Sequence, residues 1–226
     1  MMWVRIDNKY LWEQKIRPIE RHLTYQQVEY IQSSWTQYIN TSIKLNNTNS
    51  IELKANLTWI TSWSSWDKLY WWWDSWGCLF LQWNTWDNRY WWDRRMRIVN
   101  YTNDNDYRIS VDSISAITTW TTHIYNHTNT AFYIDWVLQW TCASSTFTQN
   151  IWLNIFANAN SNGIWRQKSC YKLYYMKIYN SSNNVVYNFV PVYRKSDWVI
   201  WLYETVNKVF YTNSWSWTFT KWPDVN

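Results

Sequence analysis

Two histidines, His123 and His127, stand four residues apart in Thr121-Thr122-His123-Ile124-Tyr125-Asn126-His127-Thr128. On a helix that spacing would aim both rings at one metal ion. The neighbours here are β-branched or turn-forming and no third ligand is close by, so the pair reads as exposed polar histidines and no metal site is expected. Asp104 and Asp106 alternate in Asn103-Asp104-Asn105-Asp106, and their oxygens would suit calcium. A solvated hairpin tip is the preferred reading of those four residues; calcium stays open, and no other cofactor is expected. A retaining glycosidase needs two carboxyl groups about 5–5.5 Å apart, supplied from alternate strand positions. The chain has no Glu-x-Asp-x-x-Glu, and Glu13, Glu20, Glu29, Glu52 and Glu204 are not paired at any strand spacing. No Ser/His/Asp or Cys/His arrangement and no phosphate-cradling loop has sequence support, so no catalytic residue is assigned and an enzyme is not expected. Tyr70, Tyr90, Asn84 and Asp87 combine aromatic faces with hydrogen-bonding groups, as sugar sites do. None of them is singled out, and the ligand-binding residues stay unknown at this level.

The elements that must position these groups are strands. From Val28 onward apolar residues recur with a period of two, and no segment keeps a helical stripe for three turns. Strands are expected over 28–31, 37–41, 50–59, 68–72, 78–83, 107–112, 131–134, 137–141, 152–157, 171–179, 185–193, 199–203 and 208–211. They are rich in Tyr, Ile, Val, Phe and Thr, and clusters of Asn, Ser, Thr and Asp separate them. Many short strands with frequent turns imply an all-β sandwich or barrel. Residues 1–27, charged and proline-bearing, read as an N-terminal arm or attachment segment, and 28–226 as one domain.

That architecture needs tight turns, and turns depend on glycine, which reaches positive φ without steric cost. Yet the chain has 24 Trp and only 2 Gly, Gly77 and Gly163. Its tryptophans occupy turn contexts: Ser34-Trp35-Thr36, Asp135-Trp136, Asp197-Trp198 and Ser214-Trp215-Ser216-Trp217. Asp-Gly and Ser-Gly are standard turn dipeptides; Asp-Trp and Ser-Trp are not. A left-handed bulky residue costs roughly 1–2 kcal/mol, and ten such sites would rival the whole stability of a domain, about 5–15 kcal/mol. A gene in which UGA encodes glycine, read with a table in which UGA encodes tryptophan, would produce this text. Most of the tryptophans are therefore expected to be glycine in the living protein, whereas Trp3 and Trp12 read naturally as tryptophan.

The remaining composition excludes several classes. The net charge of +5 is spread out, with small clusters at Arg94-Arg95-Met96-Arg97 and Arg194-Lys195, so no nucleic-acid partner is expected. No segment approaches the roughly 18 apolar residues of a membrane span, and no membrane partner is expected. The N-terminus lacks the apolar run of a signal peptide. Cys78, Cys142 and Cys170 admit one bridge plus a free thiol, although three buried thiols fit better.

With tryptophan read as glycine, Val28-Glu29-Tyr30-Ile31-Gln32-Ser33-Ser34-Trp35-Thr36-Gln37-Tyr38-Ile39-Asn40-Thr41 resembles the opening strand of a concanavalin A-like lectin/glucanase domain, in the laminin G-like version found in phage minor structural proteins and bacterial surface proteins. The hairpin Phe132-Tyr133-Ile134-Asp135-Trp136-Val137-Leu138 resembles the Tyr-Ile-Asp-Gly-Val turn of the same group. The most specific match is residues 188–204, Asn188 to Glu204 through Trp198 and Trp201, followed by residues 210–219 with Trp215 and Trp217. The resemblance covers about residues 28–222. It implies a two-sheet antiparallel jelly-roll sandwich of about a dozen strands, binding glycans at loops or on a sheet face, with calcium in some members. The implied protein is a non-catalytic tail- or fibre-associated component of a phage particle that binds host-surface glycans, with the 1–27 arm docking it to other virion proteins. A bacterial cell-surface adhesin module is the alternative, and a glycoside hydrolase the least favoured reading.

Overall fold

Period-two sequence becomes strand almost everywhere it can be followed. The computed structural model describes residues 24–34, 36–57, 68–74, 77–84, 95–100, 110–112, 121–128, 130–141, 152–160, 163–168, 170–214 and 218–225. The expected arm, apart from its last residues, lies outside them, as do Asp104, Asp106, Asp87, Tyr90, Cys142, Trp3, Trp12, Trp35, Trp215 and Trp217. Among the described residues there is no helix long and apolar enough to cross a membrane.

The chain is all-β, built as an antiparallel sandwich. The larger sheet has ten strands: β1 (Tyr25–Gln32), β3 (Ser50–Asn56), β8 (Thr122–His127), β9 (Ala131–Ile134), β10 (Val137–Thr141), β14 (Lys172–Tyr179), β15 (Val185–Arg194), β16 (Ile200–Glu204), β17 (Val209–Thr212) and β18 (Thr220–Asp224). They lie in the order β10-β9-β8-β3-β14-β1-β15-β16-β17, with β18 on β1, so the first and last strands pair directly. The second sheet, in the order β2-β11-β4-β5-β6-β7, contains β2 (Ile39–Asn40), β4 (Lys68–Asp74), β5 (Gly77–Asn84), β6 (Arg95–Asn100), β7 (Ser110–Asp112) and β11 (Asn154–Ile155). A separate ribbon joins β12 (Ala157–Asn160) to β13 (Gly163–Lys168).

The core fills the space between the sheets. Ile31, Ile51, Leu53, Tyr125, Phe132, Leu173, Met176, Ile178, Phe189 and Leu202 point inward from the large sheet and meet Ile39, Leu153, Ile155 and Phe156. Alternation past the irregularity at Leu173–Tyr175 makes this possible. In β14, Met176 and Ile178 are buried while Tyr175, Lys177 and Tyr179 between them are half-exposed.

Three sequence expectations change. The strand expected over 152–157 breaks at Phe156, whose φ of 68° turns the chain between β11 and β12. Its ring is fully buried and stacks on Tyr171 with centroids 4.3 Å apart, and that packing holds the unfavourable backbone. Strands β6, β8, β13 and β18 were not expected at all. His123 and His127 are not exposed turn residues: both project inward from β8, which pairs with β3 along its whole length. His127 is buried edge-on against Phe132, and burial pushes its pKa down to about 3. His123 sits 2.7 Å from the Asp135 carboxylate. Its Nδ1 and a backbone N–H (Ile124, 2.9 Å) converge on that one side chain.

The Asp135-Trp136 turn forms as its dipeptide context predicts. Both residues have positive φ, 49° and 67°, the requirement of a type I′ turn. Trp198 closes the turn between β15 and β16 at φ 61°, donating its N–H to Arg194. Both indoles project outward, 62% and 64% exposed. The left-handed set is not confined to tryptophan, since Ser42, Asn183 and Lys208 share it. Trp201, by contrast, lies inside β16.

Candidate functional site

The outward face of the ten-stranded sheet is unlike its inward face. Because side chains alternate, the residues between the core positions of β3, β8, β9, β14 and β15 share one surface. Strand register lines five of them up across the sheet: Tyr133 opposite Asn126, Asn126 opposite Glu52, Glu52 opposite Lys177, and Lys177 opposite Asn188. The inward row beside it, Ile134, Tyr125, Leu53, Met176 and Phe189, is wholly buried.

Glu52 is the centre of the outward row. It is 5% exposed although it faces away from the core, because tall neighbours cover it. Lys177 donates from Nζ to Oε1 at 3.2 Å, and the Tyr179 hydroxyl donates to Oε2 at 3.1 Å. Burial, and then the charge and hydrogen bonding of Glu52, push the Tyr179 hydroxyl up to about 12 and raise Tyr175 as well. Both phenols therefore stay protonated, and Tyr179 serves Glu52 as a donor. Lys177 also lies over the Tyr175 ring, 4.7 Å from its centroid. The result is a charge-compensated cluster of hydrogen-bonding groups framed by aromatic rings.

Aromatic residues continue along the same face. Tyr30 and Tyr174 approach to 5.2 Å, with Lys172 over Tyr30 at 4.4 Å and Lys54 over Tyr174 at 5.2 Å. Farther along, Tyr25 stacks on Phe210 at 4.2 Å, and Phe210 stacks on Tyr203 at 4.5 Å. Trp201 fills the place between Tyr25, Phe210 and Arg194, with its indole N–H buried and unpaired. Arg194 is held by Asp197 through two hydrogen bonds, one of them 2.8 Å from Nε, so its charge is largely matched.

The residues weighed from sequence do not gather here. Tyr70 lies in β4 and Asn84 ends β5, both in the second sheet. His123 and His127 face the core. Among the described residues no three His, Cys, Asp or Glu side chains stand close enough together to hold a metal ion. Cys170 is buried and outside any disulfide, and the Gln32 amide donates to its Sγ at 4.0 Å. Sequence reading missed Glu52, Tyr175, Lys177 and Tyr179. Their signal was present as alternation in Ile51-Glu52-Leu53-Lys54 and in Tyr175-Met176-Lys177-Ile178-Tyr179, which puts each polar group opposite the core. Alternation cannot reveal that β3 and β14 are neighbours.

No protein-family model matches the chain, and no curated protein is significantly similar in sequence. Among solved structures it is similar to a candidate carbohydrate-binding protein from Bacteroides ovatus, with a TM-score of 0.52 over 89% of this chain, at 8% sequence identity. The chain spans 62% of the length of that protein. At this identity the likeness speaks for the fold: the all-β sandwich read from the period-two sequence is the architecture the two chains share.

Proposed function

We propose that this chain is a non-catalytic, lectin-like sandwich of the concanavalin A-like type that binds carbohydrate on the outward face of its large sheet. The observation that carries this reading is the cluster of Glu52, Lys177, Tyr175 and Tyr179. A carboxylate held by Lys177 and Tyr179 and framed by phenol rings offers the polar and stacking contacts that sugar hydroxyls and sugar faces use. The structural likeness to a candidate carbohydrate-binding protein is in keeping with it. Glu52 has no second carboxylate across from it in the row, which favours binding over glycoside hydrolysis.

We further propose that the protein is a tail- or fibre-associated component of a phage particle, attached through the part of the expected 1–27 arm that precedes β1, since Tyr25, Gln26 and Gln27 belong to the sheet, and adhering to host-surface glycans. The motifs of residues 188–204 and 210–219 support this reading, and a bacterial surface adhesin is its rival. Capsid and tail genes beside the coding sequence are the expected finding; a secretion or sorting locus there would favour the adhesin. Most tryptophans are read as glycine, supported by the left-handed φ of Trp136 and Trp198 in Asp-x turns. UGA codons at Trp136, Trp198, Trp215 and Trp217 are expected, and UGG codons would overturn the reading.

The binding test is a broad glycan array probed with protein carrying glycine at those four positions. Binding that Glu52→Gln weakens at least about tenfold, roughly 1.4 kcal/mol, is the expected result. An array with no signal would reduce the sandwich to a purely structural part.

A further inference from the structure

The row centred on Glu52 has a direction as well as a chemistry. Tyr133, Asn126, Glu52, Lys177 and Asn188 come from five adjacent strands and lie across them. Four inter-strand steps of about 4.8 Å make the row roughly 19 Å long. Beyond Tyr133 the register continues to Leu138 of β10, which is outward and exposed. At the other end Asn188 is anchored by its side-chain N–H to Thr205 at 2.9 Å. Polar groups that share one line along a sheet fit a ligand that is itself a line.

We propose that this row is a binding track for an extended, uncharged oligosaccharide lying across the strands, and not a pocket for one terminal sugar. The inference rests on the carbohydrate-binding reading above and adds the shape and charge of the ligand. Its charge argument is local: the only two ions in the row, Glu52 and Lys177, are 3.2 Å apart and compensate each other. An anionic sugar would bring a charge against Glu52 with Lys177 already engaged, whereas neutral hydroxyls can donate to the carboxylate and accept from the ammonium and amides. Its shape argument is the spacing. Each strand contributes one hydrogen-bonding side chain, so successive sugars meet successive strands, with Tyr133, Tyr175 and Tyr179 available for contact with ring faces. Glu52 is fixed before the ligand arrives, which lowers the ordering cost of binding.

Titration calorimetry with linear cello-, xylo- and manno-oligosaccharides of one to six sugars tests the track. Affinity for the series that binds should rise about tenfold or more between one and four sugars and then level off. Tyr133→Ala, at the end of the row away from Lys177, and Asn126→Ala, beside Glu52, should reduce the gain with length more than they weaken binding of the shortest ligand, whereas Glu52→Gln should weaken every length alike. Affinity independent of length, or a length gain untouched by both variants, would overturn the track while leaving carbohydrate binding in place. Tighter binding of a uronate chain than of its neutral counterpart would overturn the charge argument. Absence of binding to every glycan, on the array as well as in solution, would overturn both readings together.

Discussion

Two glutamates in the same sheet show how differently a buried carboxylate can be used. Glu204, at the inward end of β16, is completely buried and is bound by three backbone N–H groups, from Asn188, Val206 and Asn207, at 2.9, 2.8 and 2.6 Å. Its partners are part of the β16–β17 turn and of β15, so the carboxylate fixes the chain path and has no freedom to serve anything else. Glu52 is nearly as buried but faces outward, and its partners are the side chains of Lys177 and Tyr179, which can rotate without moving a strand. Backbone partners make a structural carboxylate; side-chain partners on an open face make one that a ligand can join.

This contrast is sharpest in stability. Glu204→Ala should cost about 3–4 kcal/mol, since three charge-assisted hydrogen bonds are lost at once. Chemical denaturation with urea measures it, and a loss below about 1 kcal/mol would put Glu204 in the same class as Glu52. The inward face should also respond to acid through His127. Its folded pKa of about 3 lies below the ordinary 6.5, so between those values the unfolded chain takes up a proton that the folded chain refuses. Stability should therefore fall as pH falls through that window, by about 2 kcal/mol between pH 6.5 and 5 from this residue. A His127→Gln variant should flatten that part of the stability–pH curve, and an unchanged slope would contradict the burial of the ring.

The turns at the sheet ends give a smaller effect with the opposite sign. Trp136→Gly should raise stability by about 1–2 kcal/mol by relieving a left-handed side chain. Trp198→Gly should gain less, because the same change removes an indole that stacks on Tyr193 at 5.1 Å. Equal gains would mean that the stack contributes nothing. The smallest change belongs to Glu52→Gln, expected to shift stability by less than about 1 kcal/mol, because Lys177 is partly exposed and can turn to water. A Glu52 variant as damaging as Glu204→Ala would make the outward cluster structural and remove the basis of the binding site.

Much of this was legible without coordinates. The alternation in residues 131–141, 171–179 and 185–193 carries the strands and the choice of buried face. Asp135-Trp136 announces a two-residue turn even though a bulky residue suits positive φ poorly, because strands of matching pattern flank it so closely. The strand β8 was not legible: its Thr-Thr-His and Asn-His-Thr segments look like turn chemistry, and only pairing with β3 on one side and β9 on the other makes them a central strand. Phe156 misled in the other direction, since an apolar residue in an apolar run gives no local hint of a positive φ.

The sequence by itself determined the all-β class, the faces of most strands and the places where the chain must turn, because these follow from local periodicity and from the backbone freedom each residue allows. Only the tertiary structure decided that Glu52, Asn126, Tyr133, Lys177 and Asn188 form one row, that Glu204 is a structural anchor and that His127 is buried. Those facts depend on which strands become neighbours and in what register. That choice is made by packing of the whole core and leaves no mark on any single segment.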